Sequence, residues 1–462
     1  MHKITLKEFP QLELGNTKRE ERFVTIINNV IAQPGSSIPK QNKGWYDTKA
    51  TYEFFKNENV TLENLQQAIS GYGKEYVLKQ APGVILVPHD TSNISYNQSS
   101  AEGLGYLDNK EGTGILLHNS IAVSTSGIPL GLLHQQLWTR DEDELGKGQE
   151  RKNRPFEEKE SYKWYKGIER VNQLLGASIR KIHIADREAD IYDLFFVNAD
   201  ENAELLIRAC QPRRTSNNNE IWAEVGATAI AAVIPLTVPV ARGKTKKQTI
   251  EAEVRYRKVE ILQPLSGEHR FESVELTAIE VKQQHVKKGE EGICWQLLTT
   301  IEISTVDEVK ECVLWYTYRW LIERFHYTLK SGCGIEALQL QQAESLKKAI
   351  VIYSLAAFKI MQLTYQSRET PQASCEVILT KDEWQALYVF IHKSQQLPQS
   401  PPSLVQVALW IGRLGGHLGR RSDGPPGLKT MWLGYQRLRD YAQMYSLINP
   451  YGKTDIKNLG KG

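Results

Sequence analysis

The chain has 462 residues, too many for one small core, so more than one domain is expected. Apolar and charged fractions of 41% and 24% are those of an ordinary folded protein and exclude a disordered or fibrous chain. A formal net charge of +3 excludes bulk basicity as a route to nucleic acid, so any such site must come from local clustering.

The opening stretch "MHKITLKEFPQLELG" holds no signal-peptide core, and no later apolar run reaches the roughly 20 residues that cross a bilayer. No membrane partner is expected. Five scattered cysteines (Cys210, Cys294, Cys312, Cys333, Cys375), odd in number and without a CxxC pair, point to a reducing cytoplasm and away from zinc.

In chain order, residues 1–75 read as helical. "LGNTKREERFVTIINNVIAQ" places Asn16 or Thr17 as a cap before an apolar-periodic run, and "NVTLENLQQAIS" does the same with Thr61. Lys18, Arg19, Arg22, Lys40 and Lys43 lie among these helices, where such residues ordinarily form a solvated face. Near residue 83 the pattern changes. "GVILVPHDTSNISY" reads as a buried strand over Val84 to Val87, ending at Pro88 and Asp90. Two strands turned at Ser126 and Gly127 follow, then a helix in "EKESYKWYKGIERVNQLLG" stopped by Gly176. "IRKIHIADREADIYDLFFVNA" reads as a strand leading into a helix, and "AELLIRAC" as a fifth strand, which together make an α/β order. From about residue 211 to 288, and in the wider division to about 300, the chain is strand-like around a basic turn "RGKTKKQ", an inserted β-subdomain. A helix in "WYTYRWLIERFHYTLKSG", further helices and a Pro-rich hinge "SQQLPQSPPS" complete it. Three divisions result: 1–75, 76–370 and 371–462.

The helix from Trp315 carries an odd polar side. At about 100° per residue, Arg319, Glu323 and Lys330 fall at about −60°, −20° and −40° from Tyr316, on one face. Leu314, Leu321, Phe325 and Leu329 fall on the opposite, core side. Glu323 could simply pair with Arg319 four residues back. Trp320 and Tyr327, however, share the polar stripe, and cations beside aromatic rings suit phosphates and bases. A lone carboxylate there makes sense as a metal ligand. Asp90 and Asp186 stand at strand ends, where α/β sheets place reactive groups, and would complete an oxygen donor set for Mg²⁺. Asp90 could instead close an Asx-turn, and Asp186, Glu188 or Asp190 could cap the next helix.

With these residues in view, the chain resembles the cut-and-paste DDE transposases of bacterial insertion sequences. The branch is the one whose signature Tyr-x2-Arg-x3-Glu-x6-Lys reads here as Tyr316, Arg319, Glu323 and Lys330. "HDTSNISY" and "DREADIYD" look like the two aspartate motifs, and "LGNTKREERF" like the N-terminal DNA-binding segment with Lys18, Arg19 and Arg22. "LTKDEWQALY" and "LWIGRLGGHLGRRSDGPPGLKTMWLGYQRL" extend the likeness to the C-terminal end.

The resemblance implies an RNase H-like catalytic core with a β-rich insertion, a helical N-terminal DNA-binding region and a helical C-terminal dimerisation region. It implies two Mg²⁺ ions held by Asp90, Asp186 and Glu323, with Mn²⁺ able to substitute. It implies DNA contacts from Tyr316, Arg319, Lys330, Arg208 and Trp295, the last stacking on a flipped base where a bland reading has a core tryptophan. The implied partners are double-stranded DNA, both transposon-end inverted repeats and target, and a second copy of the chain. Competing readings are a DNA-binding regulator without catalysis and an RNase H-fold nuclease without strand transfer.

Overall fold

Pro88 does not end the first strand. In the computed structural model β1 runs Val84–Ser95, straight through Pro88, and Asp90 lies inside it, not in a turn. The parallel ladder from β1 to β5 (Arg180–Ala185) does stop at the pair Pro88–Ile184, as suits a residue with no N–H to donate. The structure describes residues 1–448 except 81–82, 98, 108–111, 142–153, 197–200, 240–246, 266–270, 287–291 and 421–422. Most of the basic turn "RGKTKKQ" lies outside the described residues.

The chain divides into two compact units, one of residues 73–92 and 116–323, the other of 1–72, 93–115 and 324–462. The first unit is built on one mixed sheet: β3 (Thr113–Ser124) lies beside β1 and also pairs with β4 (Pro129–Trp138), and β5 is followed across the sheet by β6 (Ala203–Arg208), β10 (Cys294–Thr299), β9 (Ser273–Gln283), β8 (Lys247–Leu262) and β7 (Ala232–Pro239). Its strands β3 (Thr113–Ser124) and β4 (Pro129–Trp138) form the expected hairpin, with Gly127 taking the positive φ of 89° that its turn requires. Helix α5 (Tyr162–Leu175) buries Trp164, Ile168, Val171 and Leu175 and stops at Gly176, whose φ is 65°. β6 (Ala203–Arg208) continues the parallel ladder from β5.

Two expectations are corrected here. The helix after β5 is replaced by 3-10 turns, Arg187–Ala189 and Tyr192–Phe196. Asp190 explains the tight path: its carboxylate accepts the N–H groups of Cys210 and Gln211, each at 2.7 Å, and pairs with buried Arg213. Nor is the β-rich insertion a separate subdomain. Its strands β7 (Ala232–Pro239), β8 (Lys247–Leu262) and β9 (Ser273–Gln283) join the main sheet through β10 (Cys294–Thr299). Leu297 of β10 pairs with Arg208 of β6 on one edge and with Ile279 of β9 on the other, so the insertion lengthens the sheet.

The helix expected over Trp315–Gly332 is three pieces. An earlier start, α7 (Val306–Thr317), is capped by Thr305 and buries Val309, Cys312, Val313 and Tyr316, spaced as one helical face. Tyr316 therefore belongs to the core at 2% exposure, while Leu314, assigned to the core from sequence, is 47% exposed. A break at Tyr318 and Arg319 precedes α8 (Trp320–Tyr327), and a π-helical turn over Thr328–Gly332 follows. Counting 100° per residue across two changes of winding misplaces the stripe. Leu321, Phe325 and Leu329 are buried as expected.

In the second unit, Asn16 caps α1 (Thr17–Ala32) by accepting the Arg19 N–H at 3.0 Å, and Thr61 accepts the Asn64 N–H at 3.2 Å. The long helix α9 (Ala343–Glu369) is buried all round, as its mostly apolar sequence requires. N-terminal segments pack on it: Tyr353 donates to Gln41 Oε1 at 2.9 Å and Lys348 to the Asn57 carbonyl at 3.0 Å. The Pro-rich stretch is a loop between α10 (Lys381–His392) and α11 (Leu404–Leu414), and α12 (Leu428–Ile448) follows. The ends of the chain thus share one unit. No described helix is long and apolar enough to cross a membrane, and none of the five cysteines is bonded to another.

Candidate active site

Asp90, within β1, and Asp186, directly after β5, lie at the same end of the β1–β5 ladder, just past its last pair. Asp186 follows β5 directly and accepts the Glu188 N–H at 2.9 Å, so it caps the 3-10 turn as well as facing the site. Its carboxyl is pushed above the usual aspartate range, first by burial and then by the charge of Asp90, against the pull of Arg319 and Lys163. Glu323 of α8 is raised too: burial acts first, Asp90 and Asp186 add to it, and Arg319 opposes them. Asp186 and Glu323, far apart in sequence, thus both feel the charge of Asp90.

Glu323 accepts from Arg319 Nη2 at 2.7 Å, so the bland i,i+4 pairing is present. Among the described residues no group of three His, Cys, Asp or Glu side chains closes to metal-holding distance. The donor chemistry nonetheless suits a divalent cation. All three groups are hard oxygen donors, and the repulsion raising Asp186 and Glu323 is what such a cation relieves.

Around them stand cations and rings. Arg319 is buried, its guanidinium 4.9 Å from the Trp320 ring centroid, and its Nε has no hydrogen-bond partner. An unsatisfied buried donor costs stability unless something reaches it. Arg208 donates to the Cys294 carbonyl at 3.1 Å; burial, followed by nearby Arg187 and Arg319, pushes its guanidinium down. Trp295 is 8% exposed and packs edge-on to Tyr316, ring centroids 5.3 Å apart. Burial raises the Tyr316 phenol. Trp320 is open, at 42%, whereas Tyr327, 40% exposed, belongs to the second unit.

The other predicted residues lie in the second unit. Lys330 donates to the Asn93 carbonyl at 2.6 Å and pairs with Glu336 at 3.4 Å. Lys18 is exposed, Arg19 donates to the Leu14 carbonyl at 2.8 Å, and Arg22 pairs with Asp47 at 3.0 Å.

Sequence reasoning took Glu188 only as a possible helix cap and passed over Lys163. Glu188 is raised by burial and by Asp186 and Asp90, and Lys163 of α5 reaches it at 3.5 Å. A lysine on the apolar side of α5 was the available signal. Also missed were His89 and His183, polar residues inside otherwise apolar strands next to the aspartate motifs.

Comparison with known proteins bears on both ends of the chain. Residues 1–60 match a family model described as transposase DNA-binding, and residues 355–454 match one described as the transposase Tn5 dimerisation domain. Among solved structures, one match is to a piggyBac transposase synaptic complex with hairpin DNA, at 10% identity and TM-score 0.38. It covers 77% of this chain and 67% of that one, a likeness too distant to carry an argument.

Proposed function

We propose that this chain, indicated as a Tn5-like transposase by the domains at its two ends, is a DDE transposase acting through Asp90, Asp186 and Glu323 on an RNase H-like core. The observation that carries the reading is the placement of Asp90 and Asp186 at one end of neighbouring strands, with Glu323 of α8 within reach of the charge of both. They would hold divalent metal, Mg²⁺ or Mn²⁺ in a pair, which when bound supplies charge neutralisation and an activated oxygen nucleophile for phosphoryl transfer.

The chain's own residues account for the remainder of the chemistry. Arg319, with its unpartnered Nε, offers a donor to a non-bridging phosphate oxygen, and Arg208 adds a second guanidinium beside it. Trp320 offers an exposed ring to an unpaired base. Tyr316 packs edge-on to Trp295, so a base stacked on Trp295 must share that ring with Tyr316 or displace it. Lys18, Arg19 and Arg22 belong to the end-DNA contact, and Lys330 to the phosphate contacts of the signature.

We assign to this site the four steps of cut-and-paste transposition: nicking at the transposon end, hairpin formation, hairpin opening and strand transfer. Each is a displacement at phosphorus by an oxygen, so one site serves all four. Two copies of the chain bring two ends together, consistent with the match over 355–454.

Cleavage of linear DNA carrying the sequences that flank the gene tests the reading. Glu323→Gln is expected to bind that DNA as wild type does and to abolish strand cleavage in Mg²⁺. Cleavage at the wild-type rate by this variant removes Glu323 from the site.

A further inference from the structure

Beneath the carboxylate end of the sheet runs a line of buried polar side chains that the proposed chemistry does not use. Ser120 Oγ lies 2.8 Å from His89 Nδ1, His89 Nε2 lies 2.8 Å from His183 Nδ1, and His183 Nε2 lies 3.0 Å from Asn172 Oδ1. All four residues are almost fully buried. The proton positions follow from the ends. Asn172 Oδ1 can only accept, so His183 carries its proton on Nε2 and accepts at Nδ1. His89 must then donate from Nε2 and accept the Ser120 hydroxyl at Nδ1. Every bond along the line forms with both imidazoles neutral, while Asn172 Nδ2 has no partner among the described residues, and burial holds both histidines below the ordinary range.

Its placement matters. The line crosses β3, β1, β5 and α5, and His89 immediately precedes Asp90. On the other side of Asp90, Thr91 Oγ1 lies 3.0 Å from His118 Nδ1. Side chains alternate along a strand, so His89 and Thr91 point under the sheet while Asp90 points to the opposite face. His183 stands under β5 in the same way, three residues before Asp186. Even the helix yields room: a Cβ on Gly167 of α5 would sit 3.0 Å from His118 Nε2 and 3.3 Å from His89 Nδ1.

We propose that His89 and His183, with Ser120 and Asn172, are positioning residues that fix the strands bearing Asp90 and Asp186 relative to each other, so that both carboxylates are presented together to a divalent cation. Pairing of β1 with β5 stops at Pro88, so beyond it the backbone ladder holds β1 on its β3 side only. The hydrogen-bonded line pins it there. This inference rests on the reading of Asp90 and Asp186 as metal-holding carboxylates.

Calorimetric titration of Mn²⁺ into metal-free full-length protein tests it. His183→Leu, which can neither accept from His89 nor donate to Asn172, is expected to weaken Mn²⁺ binding by about 10–100-fold. His183→Gln restores an acceptor and a donor and is expected to stay within about threefold of wild type, on the scale of a preserved outer contact. Leu276→Ala, a buried truncation three strands away, supplies a variant with comparable loss of stability and unchanged Mn²⁺ affinity. Wild-type affinity in His183→Leu, or an equal loss in Leu276→Ala, overturns the positioning role. If Asp186→Asn binds Mn²⁺ as wild type does, the carboxylate reading falls and the inference with it. Carboxylate-dependent binding that ignores His183 overturns the inference alone.

Discussion

Asp186 holds its proton more tightly than an aspartate in water, chiefly through burial and further through Asp90. Its folded pKa lies above the unfolded one, so its contribution to stability is fully present at low pH. That contribution is lost as pH rises through the folded value. At neutral pH the charge is therefore a cost borne by the site. Asp186→Asn is expected to raise the unfolding midpoint of metal-free protein by about 2 °C, within the span of a surface-charge gain. Added Mg²⁺ is expected to stabilise wild type more than the variant in the same thermal scan. A lower midpoint in the variant would mean that the cap to Glu188 outweighs the repulsion.

Elements, more than single residues, set the acid behaviour. His183 is pushed down to about 3 and His134 to about 4, both mainly by burial. The unfolded chain takes up protons on these rings below about 6.5, while the folded chain refuses them. Their stabilisation is full above that value and declines as pH falls towards 4, by at most about 1.4 kcal/mol per pH unit for each ring. Urea unfolding between pH 7 and pH 5 is expected to show this decline, and His183→Gln to flatten it. An equal slope in that variant would place the sensitivity elsewhere. At the same level, α7 explains why the aromatic stripe was misread. Its core face begins at Val309, before the stretch whose polar side attracted notice, and Tyr316 is the last member of that face.

For the whole molecule, the exposed end of α12 presents Met444, Leu447 and Ile448 to solvent within the segment matched to a dimerisation domain. Apolar side chains clustered on one helix end suit a protein partner. Leu447→Asp with Ile448→Asp is expected to leave the monomer folded and to reduce the end-DNA complex from two chains to one by light scattering. Charge reversal at Lys18 and Arg19 is expected to weaken end-DNA binding and to reduce the salt slope by roughly 2. Unmoved affinity would take both residues off the DNA.

The residues themselves determined much. Apolar runs, caps and turn glycines were enough to mark the β3–β4 hairpin, α5 with Gly176, and β6, because each depends on neighbours within a few positions. The carboxylate candidates were legible from motif spacing. Only the tertiary structure decided that β1 continues past Pro88, that the insertion lengthens the central sheet, and that Tyr316 and Trp295 pack on each other. Only it joined Ser120, His89, His183 and Asn172 into one line. These outcomes rest on pairings between residues distant in sequence, where the partner across the sheet, and no local preference, sets which side of a strand or helix meets water.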